Sequence, residues 1–182
     1  MKEAISKFVQ SDDTLFLSGT QHGEPSAAIH EIVRQRIEHL EVISCLVAMT
    51  GLLIAEGLVD KIITGFMMRN EKRSYALTRA RKIYKFPHIE ETSHFGVALA
   101  LLAGQMGIPF IPTRTLIGSD LMKYNENLKT TKCPFTGETL GAVRGLLLMW
   151  ASFMYQDPMP KATLKNGVLW VWIGRGSMPV KG

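Results

Sequence analysis

Cysteine is nearly missing from this chain: Cys45 and Cys133 are its only two, far apart, with no Cys-x-x-Cys pair and no Cys/His ligand spacing. That argues against both a zinc site and a disulfide framework. Cys45 sits in an apolar run and reads as a core residue. Long apolar runs are missing as well. The stretches 43–54 and 97–103 are broken by Ser, Thr or Gly and fall short of the roughly 20 residues that a membrane span needs. No transmembrane helix and no membrane partner are expected. The first ten residues lack the apolar region and small-residue cleavage site of a secretory signal, which makes the cytoplasm the expected location. No phosphate loop is legible either, since the stretch from Gly19 to Gly23 fits neither a P-loop nor a Gly-x-Gly-x-x-Gly fingerprint.

Most of the chain also lacks an excess of either charge. The net charge is +5, but it accumulates late: after residue 143 come Arg144, Lys161, Lys165, Arg175 and Lys181 against a single acid, Asp157. A basic domain face for nucleic acid is therefore not indicated. The basic run from Arg69 to Lys85 reads as a solvated helix face, with contact to the phosphates of a ligand as the alternative.

What is present is an alternation of strand and helix patterns. Residues 2–10 carry Ala4, Ile5, Phe8 and Val9 at helical spacing. A strand over 14–18 leads through a polar loop to Pro25, which suits the first turn of a helix over 26–36. Residues 40–47 read as a strand, 51–57 as a short helix or turn, 61–67 as a strand and 74–84 as a basic helix. Residues 88–91 are extended, Ser93 can cap a helix running to about Met106, Gly107 ends it, and 108–112 form a proline-bounded strand. This order predicts an α/β fold with an open, mainly parallel sheet and flanking helices. In such sheets ligands sit beyond the carboxyl ends of the strands, so the loops 19–24, 65–69 and 113–120 are the candidate site.

Three ordered blocks carry a resemblance. The first is Ala4-Ile5-Ser6-Lys7-Phe8-Val9 through Leu17-Ser18-Gly19, with Pro25-x-x-Ala28-x-x-Glu31-Ile32-Val33-Arg34-Gln35 after it. The second holds Ile89-Glu90-Glu91-x-Ser93-His94, Ala103-Gly104-x-x-Gly107-Ile108-Pro109-Phe110 and Gly118-Ser119-Asp120-Leu121. The third is Asn125-x-Asn127 with Cys133-Pro134-Phe135-Thr136-Gly137-Glu138. Together they resemble the A subunit of family I CoA-transferases of the glutaconate CoA-transferase type.

The resemblance implies an open α/β fold shared with sugar-phosphate isomerases, and a partner B subunit. It implies transfer of CoA from an acyl-CoA to a carboxylic acid, with a coenzyme A thioester as substrate and no bound cofactor. The nucleophilic glutamate belongs to the B subunit, so no catalytic residue is expected in this chain. Glu90 and Glu91 read as a solvated or helix-N-terminal acidic pair. The candidate substrate-binding residues are Gly19, Ser93, His94, Gly118 and Ser119. Each of the first three has a structural alternative: Gly19 as a strand end, Ser93 as a helix cap, His94 as a surface residue. The family's Gly-Gly-Phe opening is replaced here by Gly19-Thr20-Gln21. A related reading is the A subunit of a CoA-thioester ring-opening hydrolase, although no carboxylate stands near His94 in the place such an enzyme needs one. A non-catalytic remnant is a third reading.

The resemblance stops after Gly141-Ala142-Val143, which divides the chain into a domain over 1–143 and a divergent tail over 144–182. Trp150, Trp170 and Trp172, all three tryptophans of the chain, lie in that tail. Codon degeneracy allows the stretch 144–155 to be encoded so that another frame reads R-P-A-A-D-V-G-I-I-H-V, a string that resembles the family's next strand. The tail is therefore expected to be a frameshifted reading and the domain to be truncated. Such a tail should pack poorly and lack satisfied strand pairing.

Overall fold

The computed structural model describes residues 1–17, 24–67, 75–83, 86–146, 149–155 and 167–175. It begins with α1 (Lys2–Phe8), β1 (Asp13–Leu17), α2 (Ser26–Gln35), β2 (Leu40–Val47), α3 (Gly51–Ala55), β3 (Val59–Met67), α4 (Tyr75–Ile83) and β4 (His88–Glu91). Then follow α5 (His94–Met106), β5 (Phe110–Thr113), α6 (Leu121–Tyr124), β6 (Leu128–Lys132), β7 (Thr139–Arg144), β8 (Met149–Tyr155) and β9 (Gly167–Arg175). One sheet has the order β4-β3-β2-β1-β9-β8, and a second has the order β5-β7-β6.

Strands β1 to β4 are parallel, and their register sorts the side chains into two faces. Leu15, Val42, Ile62 and Ile89 form a row across the four strands. They join Ile5, Ile29, Ile32, Leu53 and Leu77 from α1 to α4 in the main core. The next row, Phe16, Ile43, Ile63 and Glu90, turns to the other face, where Ile43 and Ile63 pack on Val97 of α5. A parallel sheet is stable when both faces are covered, because its crossovers leave an apolar strand surface on each side. Ile43 and Ile62 are fully buried, at 0% exposure, and truncating either to Ala costs about 2–5 kcal/mol.

Local sequence sets the helix ends. Ser93 caps α5, its Oγ accepting the Gly96 N–H at 2.8 Å, and Gly107 ends it in the left-handed conformation at φ 69°. Helix α4 turns Leu77 and Ala80 inward and leaves Arg81 and Lys82 exposed, the solvated basic face expected of that run. Cys45 packs with the Ile43 cluster, and burial raises its thiol pKa.

The second sheet is absent from the sequence-based expectation. It is antiparallel, and its inner face brings Leu128 and Val143 against Leu99 and Ala100 of α5. A half-buried polar chain ties the two sheets together. Lys61 Nζ bonds Glu41 at 3.0 Å and Glu90 at 2.9 Å, and Asn127 Nδ2 donates to Glu90 at 2.7 Å. Burial disfavours the charge of Lys61, but its bonds to Glu90 and Glu41 outweigh that and raise its pKa. This corrects the reading of the Glu90–Glu91 pair. Glu91 is exposed, but Glu90 keeps only 12% of its side-chain surface and lies within β4 as the partner of Lys61.

The tail also departs from expectation, because β8 pairs with β9 and β9 pairs antiparallel with the free edge of β1. An apolar, β-branched run such as Val168 to Ile173 suits a strand whatever its origin, and an unpaired strand edge recruits one.

The polar chain yields a test. Lys61→Met should lower stability by about 1–3 kcal/mol, because Glu90 loses its charged partner while largely buried. Adding Glu90→Gln should recover part of that loss in denaturant melts. Additive losses would show that the two residues are not coupled.

Candidate active-site edge

The carboxyl ends of β1 to β4 lie along one edge of the parallel sheet, and the N-terminus of α5 sits on it. Gly65, two residues before the end of β3, makes this possible. A Cβ at Gly65 would lie 2.5 Å from the backbone nitrogen of His94 and 2.8 Å from its ring Cδ2. Only a residue without a side chain lets the helix come so close. Thr92 reinforces the junction, its N–H donating to the Thr64 carbonyl at 3.0 Å.

The structure therefore places His94 at the carboxyl end of β3, exposed. Ser93 stands beside it, with its hydroxyl engaged in capping α5. Phe66 of β3 and Phe95 of α5 are 49% and 53% exposed, so the neighbourhood of the imidazole carries apolar as well as polar surface.

Gly118 and Ser119 belong to a different segment, the turn before α6. Gly118 has φ 81°, and a Cβ there would meet nothing within 4 Å. The glycine thus serves the turn rather than a close approach. Ser119 Oγ donates to the Leu116 carbonyl at 2.7 Å. This segment is anchored at the same edge of the sheet by Asn125, whose Nδ2 donates to the Glu91 carbonyl at the end of β4 at 2.9 Å. Among the described residues no hydrogen bond joins Ser93 or His94 to Gly118 or Ser119. Gly19 lies outside the described residues.

Two further residues also stand at this edge, Glu24 from the expected loop 19–24 and Thr50, which sequence reasoning passed over. Glu24 precedes α2 and takes the Met49 N–H on Oε2 at 2.6 Å, while Thr50 follows β2 and is 1% exposed. Neither has a spacing signal in the sequence.

The Cys133–Glu138 block forms the turn between β6 and β7. It is closed by Cys133 N–H to the Glu138 carbonyl at 2.8 Å and Gly137 N–H to the Cys133 carbonyl at 2.9 Å. The Thr136 hydroxyl, with the N–H groups of Phe135 and Thr136, holds the Cys133 thiol below its ordinary pKa. Arg114 fastens the turn to the end of β5 through a two-point pair with Glu138, at 2.8 and 2.9 Å. Among the described residues no group of three metal-ligating side chains comes together, and no helix is long and apolar enough to cross a membrane.

Known proteins share this arrangement. The sequence model of the coenzyme A transferase family matches residues 1–141. The A subunit of the 3-oxoadipate CoA-transferase of Pseudomonas knackmussii is 38% identical over 149 residues, which is 79% of this chain and 52% of that protein. Among solved structures, a cysteine-to-serine variant of the decarboxylase AibA/AibB superposes with a TM-score of 0.65 at 24% identity, covering 80% of this chain and 56% of that one. Glutaconate coenzyme A-transferase from Acidaminococcus fermentans superposes with a TM-score of 0.63 at 23% identity, covering 79% and 51%. The chain belongs to the coenzyme A transferase family, and it spans about half the length of the 3-oxoadipate relative.

The close approach at Gly65 gives the second prediction. Gly65→Ala should cost about 1–3 kcal/mol, because its methyl meets backbone rather than a side chain that can swing away. The amide resonances of residues 92–97 should shift with it. Unchanged stability and unshifted resonances there would mean that α5 does not rest on β3 in this way.

Proposed function

We propose that residues 1–143 form the first part of the A subunit of a heteromeric CoA-transferase. The observation that carries this reading is the match to the family over residues 1–141, together with a helix head that holds His94 at the carboxyl edge of the sheet. The substrates are an acyl-CoA and a carboxylic acid, and the expected setting is the cytoplasm. A 3-oxo dicarboxylic acid, the kind named for the Pseudomonas relative, is the first acceptor to try.

The nucleophile is a glutamate of a B subunit. Its carboxylate attacks the thioester carbonyl and expels CoA thiolate, giving an acyl anhydride; the thiolate then attacks that anhydride to form a glutamyl-CoA thioester and release the first acid. The second acid takes the CoA by the reverse sequence. This chain supplies pocket walls and hydrogen bonds. The imidazole of His94 can donate to a substrate oxygen, the Ser119 hydroxyl can accept while it donates to Leu116, and Gly118 shapes the turn that presents Ser119. The Ser93 cap fixes the helix head that carries His94, and Gly19 completes the proposed set.

Residues 144–182 are, on the same reading, a frameshifted translation of the gene. The family match ends at residue 141, and the tail holds all three tryptophans but only one of the 16 acids.

Sequencing the gene and assaying both chains tests the proposal. A single-base insertion or deletion near the codons for Ala142 to Gly145 should restore the family reading. The restored chain, co-expressed with a B subunit, should transfer CoA, and the 182-residue chain alone should not. His94→Ala in the restored enzyme should lower kcat/KM about 10-fold, the effect of losing one substrate hydrogen bond. Three results would overturn the reading: no frame that restores the family sequence, hydrolysis in place of transfer, or turnover by the isolated chain that depends on Glu90 or Glu91.

A further inference from the structure

Helix α5 has the composition of a helix buried on every side. From His94 to Met106 it holds no Asp, Glu, Lys or Arg, whereas α2 turns Arg34 to solvent and α4 turns Arg81 and Lys82 outward. A helix that is apolar all round belongs inside a protein. One face of α5 is nevertheless open. Phe95, Leu102 and Met106 keep 53%, 44% and 62% of their surface exposed, and Ala98 between them is exposed as well. At i, i+3, i+7 and i+11 these four fall in one row along the helix. The other exposed side chains of α5, His94 and Gln105, are polar but carry no fixed charge.

The row faces away from what this chain packs onto α5. Val97, on the opposite side, meets Ile43 and Ile63 of the parallel sheet, and Leu99 and Ala100 meet the second sheet. With α1 to α4 on the far side of the parallel sheet, helices, sheet and α5 already make three layers, as many as a domain stacks. A further helix of this chain would lie beside α5 on the sheet; an element across its outer face would be a fourth layer. That face therefore suits another subunit. The core of a subunit interface is depleted of charge and enriched in aromatic and methionine side chains, as this row is.

We infer that the outer face of α5, from Phe95 to Met106, is the surface on which the B subunit docks, through an apolar patch of its own. This rests on the transferase reading, in which B carries the attacking glutamate. That carboxylate must reach the thioester carbonyl, and His94, the proposed donor to the substrate, opens onto the same face of α5 as the row. A B subunit seated along the row brings its surface past His94, so the contact that buries Leu102 and Met106 also closes the site over the imidazole. A second copy of this chain would cover the row but bring no nucleophile to His94.

The test uses the frame-restored subunit, or the 182-residue chain if the gene holds no other frame, with a B subunit co-expressed. Ala98→Cys puts a thiol in the row, and maleimide labelling is read by mass spectrometry of the peptide that carries it. That thiol should label in the free subunit and be shielded once B is bound. Leu102→Glu and Met106→Lys should each raise the Kd for B about tenfold or more, measured by sedimentation. The thermal melt of the free subunit should stay in place, because both side chains are exposed. Full-strength assembly by both variants, or equal labelling with and without B, overturns the surface. So does a thiol blocked in the free subunit: at every concentration this marks the chain's own continuation as the cover, and only at high concentration it marks a second copy. Neither readout needs turnover. A complex in which B shields the thiol but which transfers no CoA would remove the proposed function alone. One that transfers CoA with the thiol open would remove the surface alone, and no assembly by the unaltered subunit would remove both.

Discussion

Everything at the carboxyl edge depends on one close approach, the head of α5 against β3 at Gly65. A side chain at that position would overlap the backbone of His94, so the glycine fixes how deeply the helix is seated. That seating brings Val97 onto Ile43 and Ile63, and it gives the three-stranded sheet a surface to pack on through Leu99 and Ala100. It also sets the exposed imidazole of His94 at the end of a strand rather than over the middle of the sheet. Packing and site are thus two results of the same contact.

The two sheets are joined in two ways that differ in kind. The apolar joint around Leu128 and Val143 supplies burial, which is largely indifferent to orientation. The polar chain from Glu41 and Lys61 through Glu90 to Asn127 is directional and fixes how β6 lies against β4. Asn125 adds a third tie through the Glu91 carbonyl, which anchors the end of α6, beyond the turn carrying Gly118 and Ser119, at the carboxyl end of β4. The fold itself is compatible with more than one reaction, since a decarboxylase and a CoA-transferase both superpose on it. The reaction has to be argued from the residues at the edge and from the family.

Much of the parallel layer was legible in the sequence because its signals are local. The period-3.6 pattern of α2, the apolar run of β2, the Ser93 cap and the Gly107 stop each depend on a few neighbouring residues. Of the second sheet only β5 was legible, as the proline-bounded strand over 108–112, because β6 and β7 have five and six residues and are half polar, as in Leu128-Lys-Thr-Thr-Lys132. Their pairing is set by the turn from Cys133 to Glu138 and by packing on α5, which no short window reveals. Glu90 was misread for a similar reason: its partner Lys61 is on another strand, and sequence spacing does not record cross-strand neighbours. The pairing of β9 with β1 shows the opposite case, in which a strongly β-forming run finds a free edge. Of the candidate site, Ser93 and His94 were reached through family resemblance and Glu24 through the loop 19–24 that the strand order singled out, whereas Thr50 emerges only from a buried hydroxyl that the described residues leave without a hydrogen bond.

On the proposed reading as a CoA-transferase A subunit, substrate meets this chain along the carboxyl edge of the parallel sheet, and that placement can be checked. It is tested most directly by mapping amide exchange or resonance shifts on the assembled two-subunit enzyme with a bound acyl-CoA. Protection is expected to concentrate at residues 48–50 and 92–96 and around Ser119, with little change at the opposite edge near His39 and Asp60. Protection centred on that opposite edge, or spread over the outer face of the second sheet at Lys129 and Ala142, would contradict it.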